Sequence, residues 1–308
     1  MVIIMNEKTR AARLSIASNT ALVVGKLIVG FAIGSVGVIS EGIHSSVDLL
    51  AAIIAFVAIR AASQPADEKH PYGHGKYENM SGSIEAALIF VAALWIIYEA
   101  IGRIYHPAEI GNLWLGIAVM FVSSVVNFFI SRHLMVVGKK TDSIALQADA
   151  MHLKTDVLTS AGVMGGLIGV YLTGLVWIDA VFAIIVALLL FHASYELFTE
   201  AFSPLMDTRL HEEEEVKITN AVLKHSDKFV DFHDLRSRKS GAERHIDFHM
   251  TVCKYHTIEH THGLSVNIEN EIRLHFQESN ILIHQEPCRL DCNTCSLPAK
   301  NSSIENIL

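Results

Sequence analysis

The sequence is short of charge, of cysteine and of basic residues, and each shortage excludes something. Only 18% of its 308 residues are Asp, Glu, Lys or Arg, against 51% hydrophobic ones, and the mean hydropathy is +0.37. A soluble domain carries about 25% charged residues, so the composition points to a membrane class. Four cysteines, three of them (Cys288, Cys292 and Cys295) in the last 21 residues, cannot build a disulfide framework; they read as reduced thiols of a cytoplasmic compartment. The net charge of −8 argues against nucleic acid as a partner. Residues 1–13 are short and mixed in charge and run straight into an apolar span, so no cleavable signal peptide is expected. There is no nucleophile motif either, which argues against an enzyme such as a membrane metallohydrolase.

What is present is a succession of apolar runs. A helix needs about 20 apolar residues to cross the hydrocarbon layer, and six segments qualify: 13–34, 37–62, 81–104, 112–135, 143–172 and 176–201. Lys8, Arg10 and Arg13 precede the first, Arg60, Lys69 and Lys76 follow the second, and Arg132, Lys139 and Lys140 follow the fourth. The loops near 35, 105–111 and 173–175 carry no Lys or Arg. The positive-inside rule then puts both termini in the cytoplasm. Near residue 203 the pattern becomes soluble. HEEEEVKITNAVLKH reads as a helix with acidic residues in its first turn. Residues 229–237 and 244–253 read as strands, 258–277 as a helix and NILIHQEP as a last strand. The expected fold is therefore an α-helical membrane domain of six spans over 1–203. A small αββαβ domain of metallochaperone-like order, one face covered by helices, follows over 204–288, and a flexible cysteine-containing tail over 289–308.

Ionisable residues at membrane depth cost on the order of 2.5–3.5 kcal/mol each and call for a reason. The second span contains His44 and Asp48, the fifth His152 and Asp156, both as H-x-x-x-D. The i, i+4 spacing puts each pair on one helical face. Two facing pairs supply two imidazoles and two carboxylates, a set suited to tetrahedral Zn²⁺; without thiolate, it is not a purely soft-metal site. A plain interhelical His–Asp hydrogen bond is the alternative for either pair alone. Lys26 and Glu99 read as snorkelling or interfacial, Glu41 and Glu85 as lining an access path, and Asn127 as an interhelical bond. In the loop after span two, Asp67, His70 and His74 form a second candidate metal cluster. In the soluble domain His245, Asp247 and His249 share one face of a strand by their spacing. His233, His260, His262, His284 and Glu286 lie on neighbouring elements and could converge with them. His211, His225, His256 and His275 read as surface residues, as His260 does by itself. Cys288, Cys292 and Cys295 offer three thiols, one fewer than structural zinc sites use.

SEGIHSSVD, PADEKHPYGHGKYE, ADAMHLKTD and the ending ILIHQEPC together resemble the cation diffusion facilitators, in particular the bacterial iron/zinc–proton antiporters. The resemblance runs from residue 10 to about 288 and leaves the tail outside. It implies a transport site at His44, Asp48, His152 and Asp156 and a loop site at Asp67, His70 and His74. It also implies a cytoplasmic binuclear site at His233, His249, His262 and His284 with Gln285 nearby, where Glu286 stands in place of the family's bridging Asp. Lys76 and Asp207 correspond to a salt bridge that locks the family's homodimer. Where some bacterial relatives have Asp, this chain has His44, and two His with two Asp goes with zinc rather than cadmium. The implied activity is Zn²⁺/H⁺ antiport by alternating access, with zinc as transported and regulatory ion, in a homodimer of the bacterial inner (plasma) membrane, in contact with lipid. Fe²⁺, Co²⁺, Ni²⁺ or Mn²⁺ as cargo, and a membrane metal sensor that does not transport, are the alternatives.

Overall fold

In the computed structural model the described residues are 2–33, 36–105, 113–175 and 177–289. The chain divides into two compact units, Met1–Leu205 and Met206–Leu308.

The first unit is a bundle of six long helices: α1 (Val2–Ile33), α2 (Val36–Ala62), α3 (Lys76–Tyr105), α4 (Leu113–Lys140), α5 (Ile144–Thr173) and α6 (Trp177–Phe202). Among the described residues, five of them contain stretches long and apolar enough to cross a membrane. The exception is α5, which is as long as the rest but carries Asp149, His152, Lys154 and Asp156 in its first half. Asp149, His152 and Asp156 are tolerated because α5 is central, while Lys154 is exposed. Ala145, Leu146, Ala150 and Leu153 pack with Ala11, Ala12, Ile59 and Leu134 from α1, α2 and α4. Ile144 and Ala148 pack with Ala86, Ile89 and Ala93 of α3 and Leu190, Leu197 and Ala201 of α6. Alanines dominate both clusters, and small side chains are what let helix backbones approach closely in a bilayer. Phe31, Trp95, Tyr98 and Phe129 point outward from the bundle instead.

Local chemistry fixes where α5 begins and ends. Ser143 caps its start by accepting the Leu146 N–H, and Gly174 ends it in the left-handed conformation (φ 73°), its N–H donating to Val170 O at 2.7 Å. Further along, α5 lies so close to α6 that a Cβ at Gly162 would come within 2.5 Å of Val186 Cγ2, and one at Gly166 within 2.5 Å of Asp179 Oδ1.

The second unit runs α7 (Glu212–Leu223), β1 (Asp231–Ser240), β2 (Glu243–Val252), α8 (Ile258–His275) and β3 (Ser279–Pro287), the expected αββαβ order. The sheet order is β1-β2-β3. β1 and β2 form an antiparallel hairpin, and β3 pairs parallel to β2 after the crossover through α8. Four glutamates occupy the first turn of α7, where the helix dipole favours them. Thr257 caps α8 by accepting the His260 N–H. Ile246, Phe248, Met250 and Val252 alternate onto one face and bury against Ile218, Ala221 and Val222 of α7 and Leu264, Ile268 and Ile272 of α8. The opposite face is left for polar residues. The β1–β2 register shifts between His233 and Arg236, where Asp234 adopts φ 53°, so β1 is bulged there.

Candidate metal centres

In the bundle, α2 and α5 bring the two H-x-x-x-D pairs together around Asp48. His152 Nε2 lies 3.2 Å from Asp48 Oδ1, both side chains buried. Ligand atoms of His44, Asp48 and Asp156 lie within 4.8 Å of one another. All four expected residues are therefore gathered by two helices, and their donors are two imidazoles and two carboxylates. A third helix adds to them: Asn127 on α4 donates from Nδ2 to Asp156 Oδ2 at 3.4 Å. The interhelical role expected of Asn127 thus falls on a candidate ligand. Lys26 is neither snorkelling nor interfacial. It is 7% exposed and donates to Ser45 Oγ at 2.8 Å, one residue from His44. Glu85 does not line an open path either; it is wholly buried. Glu99 is exposed, and the side chain of Glu41 lies outside the described residues.

The loop residues also converge. Asp67 Oδ1 is 3.1 Å from His70 Nδ1, Asp67 Oδ2 is 3.4 Å from His74 Nε2, and the two imidazoles approach to 3.0 Å. The loop backbone fixes the carboxylate: the N–H groups of His70 (2.6 Å) and Lys69 (2.9 Å) both donate to Asp67 Oδ1. The His70 backbone bond is the main reason the Asp67 carboxyl is held below its usual range. His74 is buried, and Tyr77 stacks on it with 6.1 Å between ring centroids.

In the second unit a row of histidines crosses the sheet. His233 on β1 pairs in register with His249 on β2, which pairs with His284 on β3. Ring centroids are 5.5 Å apart for the first pair and 4.7 Å for the second. Glu286, two residues beyond His284, reaches all three. Its Oε1 is 3.0 Å from His249 Nδ1 and 3.9 Å from His284 Nε2, and its Oε2 is 3.7 Å from His233 Nε2. Three histidines and one carboxylate make a donor set suited to Zn²⁺ or a similar ion.

Two residues expected here stand elsewhere. His262 is exposed on α8 and belongs to none of the clusters found among the described residues. Gln285 points to the other face, donating to Thr261 O (2.9 Å) and Ser265 Oγ (2.7 Å) of α8; the two-residue period of a strand requires this for a neighbour of His284. Asp234, missed beforehand, groups with His233 and His249 because the bulge re-aims it, and no periodic signal marks a bulge. Of the last two residues paired above, Lys76 donates from Nζ to Leu205 O at 3.5 Å and Asp207 pairs with Arg238 at 3.2 Å. Cys288 is a buried free thiol, while Cys292 and Cys295 lie outside the described residues.

A helical unit of membrane-spanning length with a buried His/Asp cluster, followed by a small α/β unit with a histidine row, is the architecture expected of a membrane carrier of metal ions. Comparison with known proteins agrees. Residues 12–206 match the cation efflux transmembrane domain and residues 210–288 the cytoplasmic domain of cation efflux proteins. An uncharacterized transporter of Synechocystis sp. is 38% identical over 254 residues, 82% of this chain and 82% of its own length. The cation-efflux pump FieF of Shewanella oneidensis is 29% identical over 92% of this chain and 95% of its own. An uncharacterized transporter of Methanocaldococcus jannaschii is 30% identical over 87% and 94%. The chain belongs to the cation efflux family, the cation diffusion facilitators. It is an integral membrane transporter of divalent metal cations, in a family of transporters rather than enzymes.

Proposed function

We propose that the chain is a Zn²⁺/H⁺ antiporter that works by alternating access, with His44, Asp48, His152 and Asp156 as the transport site. The observation that carries this reading is the convergence of the four on Asp48 from two helices. Two imidazoles and two carboxylates hold a tetrahedral ion without thiolate, which favours zinc over softer cargo. Proton exchange follows from the same atoms. An imidazole must be neutral and a carboxylate ionised to bind metal. The Asp48–His152 hydrogen bond holds a proton where the ion would sit, so binding displaces it and protonation from the acidic side expels the ion.

Arg60 at the end of α2 and Lys139 and Lys140 at the end of α4 support cytoplasmic termini in the plasma membrane of a bacterial cell. The match of residues 210–288 to the family's cytoplasmic domain supports a homodimer. Asp67, His70 and His74 would hold one regulatory ion. His233, His249, His284 and Glu286 would hold further ions, favouring one arrangement of the subunits.

The test is flux in proteoliposomes loaded with metal- and pH-sensitive dyes, with Fe²⁺, Co²⁺, Ni²⁺ and Mn²⁺ as competitors. His44→Ala and Asp156→Ala lose zinc flux, and zinc entry in the wild type moves protons the other way. Undiminished flux in both variants refutes the site. His44→Asp raises cadmium transport relative to zinc; an unchanged ratio refutes the selectivity argument.

A further inference from the structure

Apart from the quartet and from Glu78, which is paired with Lys8, the bundle buries two more carboxylates among the described residues. Glu85 on α3 is 0% and Asp149 on α5 is 1% exposed, and none of their four oxygens has a partner within ordinary hydrogen-bond geometry. Other buried polar atoms without partners in the bundle include Ser15 Oγ on α1 and Ser81 Oγ, one turn before Glu85. Ser15 faces Asp149 and Ser81 faces Glu85. The buried ammonium groups of the unit are engaged elsewhere, Lys8 with Glu78 at 3.0 Å and Lys26 with Ser45 at 2.8 Å. The charged groups facing Asp149 are Glu85, His152 of its own helix and Asp48 of α2; the one facing Glu85 is Asp149. The α6 residues packed against this part of α3 and α5 are Leu190, Leu197 and Ala201. Neither carboxylate makes a hydrogen bond to a ligand of the quartet.

Two ionised carboxylates buried this deeply and interacting with each other repel, and one serine hydroxyl apiece is little to offset the loss of solvent. A proton shared by the pair removes one charge and adds a donor at once. We propose that Glu85 carries a transported proton, held in place by Asp149 and the Ser15 and Ser81 hydroxyls, at a site distinct from the metal quartet. Asp149 is one helical turn from His152, so a divalent ion on the quartet acts through Asp149 to weaken its hold on that proton. By linkage, return of the proton weakens the hold on the metal. The proton leaves to solvent when metal binds and comes back when metal leaves, adding to those displaced from the ligands themselves. This inference rests on the antiport reading and concerns where one of its protons resides.

The experiment is zinc titration of purified full-length protein by calorimetry in buffers of different ionisation enthalpy, which counts protons released per zinc bound. Glu85→Gln and Asp149→Asn are expected to bind the same number of zinc ions as the wild type and to release fewer protons, by up to about one. Infrared difference spectra supply a second reading on the wild type itself. Zinc should remove the carbonyl band of a buried carboxylic acid, a band absent from Glu85→Gln. Equal proton counts in the wild type and both variants overturn the proposal. So does a band that survives zinc, or loss of a zinc equivalent in Glu85→Gln, which would make the pair a metal site. A wild type that releases no protons on binding zinc refutes the antiport reading instead, and this proposal with it.

Discussion

Replacing Glu78 by glutamine strands a buried ammonium, and the cost can be worked out in advance. Lys8 Nζ is 3.0 Å from Glu78 Oε1, with side-chain exposures of 9% and 4%. The other oxygen, Oε2, accepts the Ser143 hydroxyl, and Ser143 is the N-cap of α5. One carboxylate in the first turn of α3 therefore ties together α1, α3 and the start of the helix that carries His152. Glu78→Gln keeps the size and an oxygen for Ser143 but leaves the Lys8 charge unpaired. Removing one partner of a buried pair costs about 3–5 kcal/mol. For a unit the size of Met1–Leu205, each kcal/mol moves Tm by about 2–4 °C, so the expected drop is roughly 6–20 °C. Lys8→Met alone strands the carboxylate and should also destabilise. The double variant Lys8→Met/Glu78→Gln removes both charges and should recover most of the loss. Thermal unfolding in detergent, run as a double-mutant cycle, measures all three. A loss under about 1 kcal/mol for Glu78→Gln, or a double variant no better than the single, refutes the account.

Three other outcomes are expected. His249→Ala removes the middle of the histidine row and the 3.0 Å partner of Glu286, so metal bound per full-length chain at equilibrium dialysis falls; His262→Ala leaves it unchanged. Burial, then the neighbouring Glu278, raises the Glu243 carboxyl above its ordinary value. Its folded form thus keeps a proton that the unfolded chain has lost, and stability falls as pH rises through the raised value. Glu243→Gln should accordingly stabilise the protein at neutral pH, by under ~1 kcal/mol for a half-buried group, and give no gain near the ordinary carboxylate range; an equal effect at both pH values contradicts this. Gly162→Val drives a side chain into Val186 and should cost about 1–3 kcal/mol in thermal unfolding, more than the same change at Gly25, where nothing lies within 4 Å of an added Cβ.

Much of this architecture is legible in the sequence. Apolar length outlines five of the six long helices, and i, i+4 spacing is enough to put His44 with Asp48 and His152 with Asp156 on single faces. The αββαβ order is readable because Ile246, Phe248, Met250 and Val252 alternate where the flanking helices do not. What escaped was environment. Lys26 and Glu85 look like any charge within an apolar run, and only packing tells an interfacial Lys from one hydrogen-bonded beside a site. Asp149 stands three residues before His152 in ADAMHLKTD, yet nothing local says that it is wholly buried. His262 and His284 are equally plausible ligands by type. The register of β2 with β3 places His284 in the row, whereas His262 belongs to a helix that lends the sheet its apolar side.

The histidine row has a consequence for folding itself. Its members come from strands joined in two different ways, a local hairpin and a pairing that waits for all 18 residues of α8 to cross over. A slip of one residue on any strand would turn its histidine into the apolar core. If the row binds an ion as proposed, that ion would reward only the chain whose two pairings are both correct, and its binding free energy would become folding free energy. At a free concentration a hundred times its dissociation constant that is about 2.7 kcal/mol. On that proposal the sheet would act as a gauge of metal supply: chains made in metal-poor cells would carry a looser, shorter-lived domain than chains made in plenty.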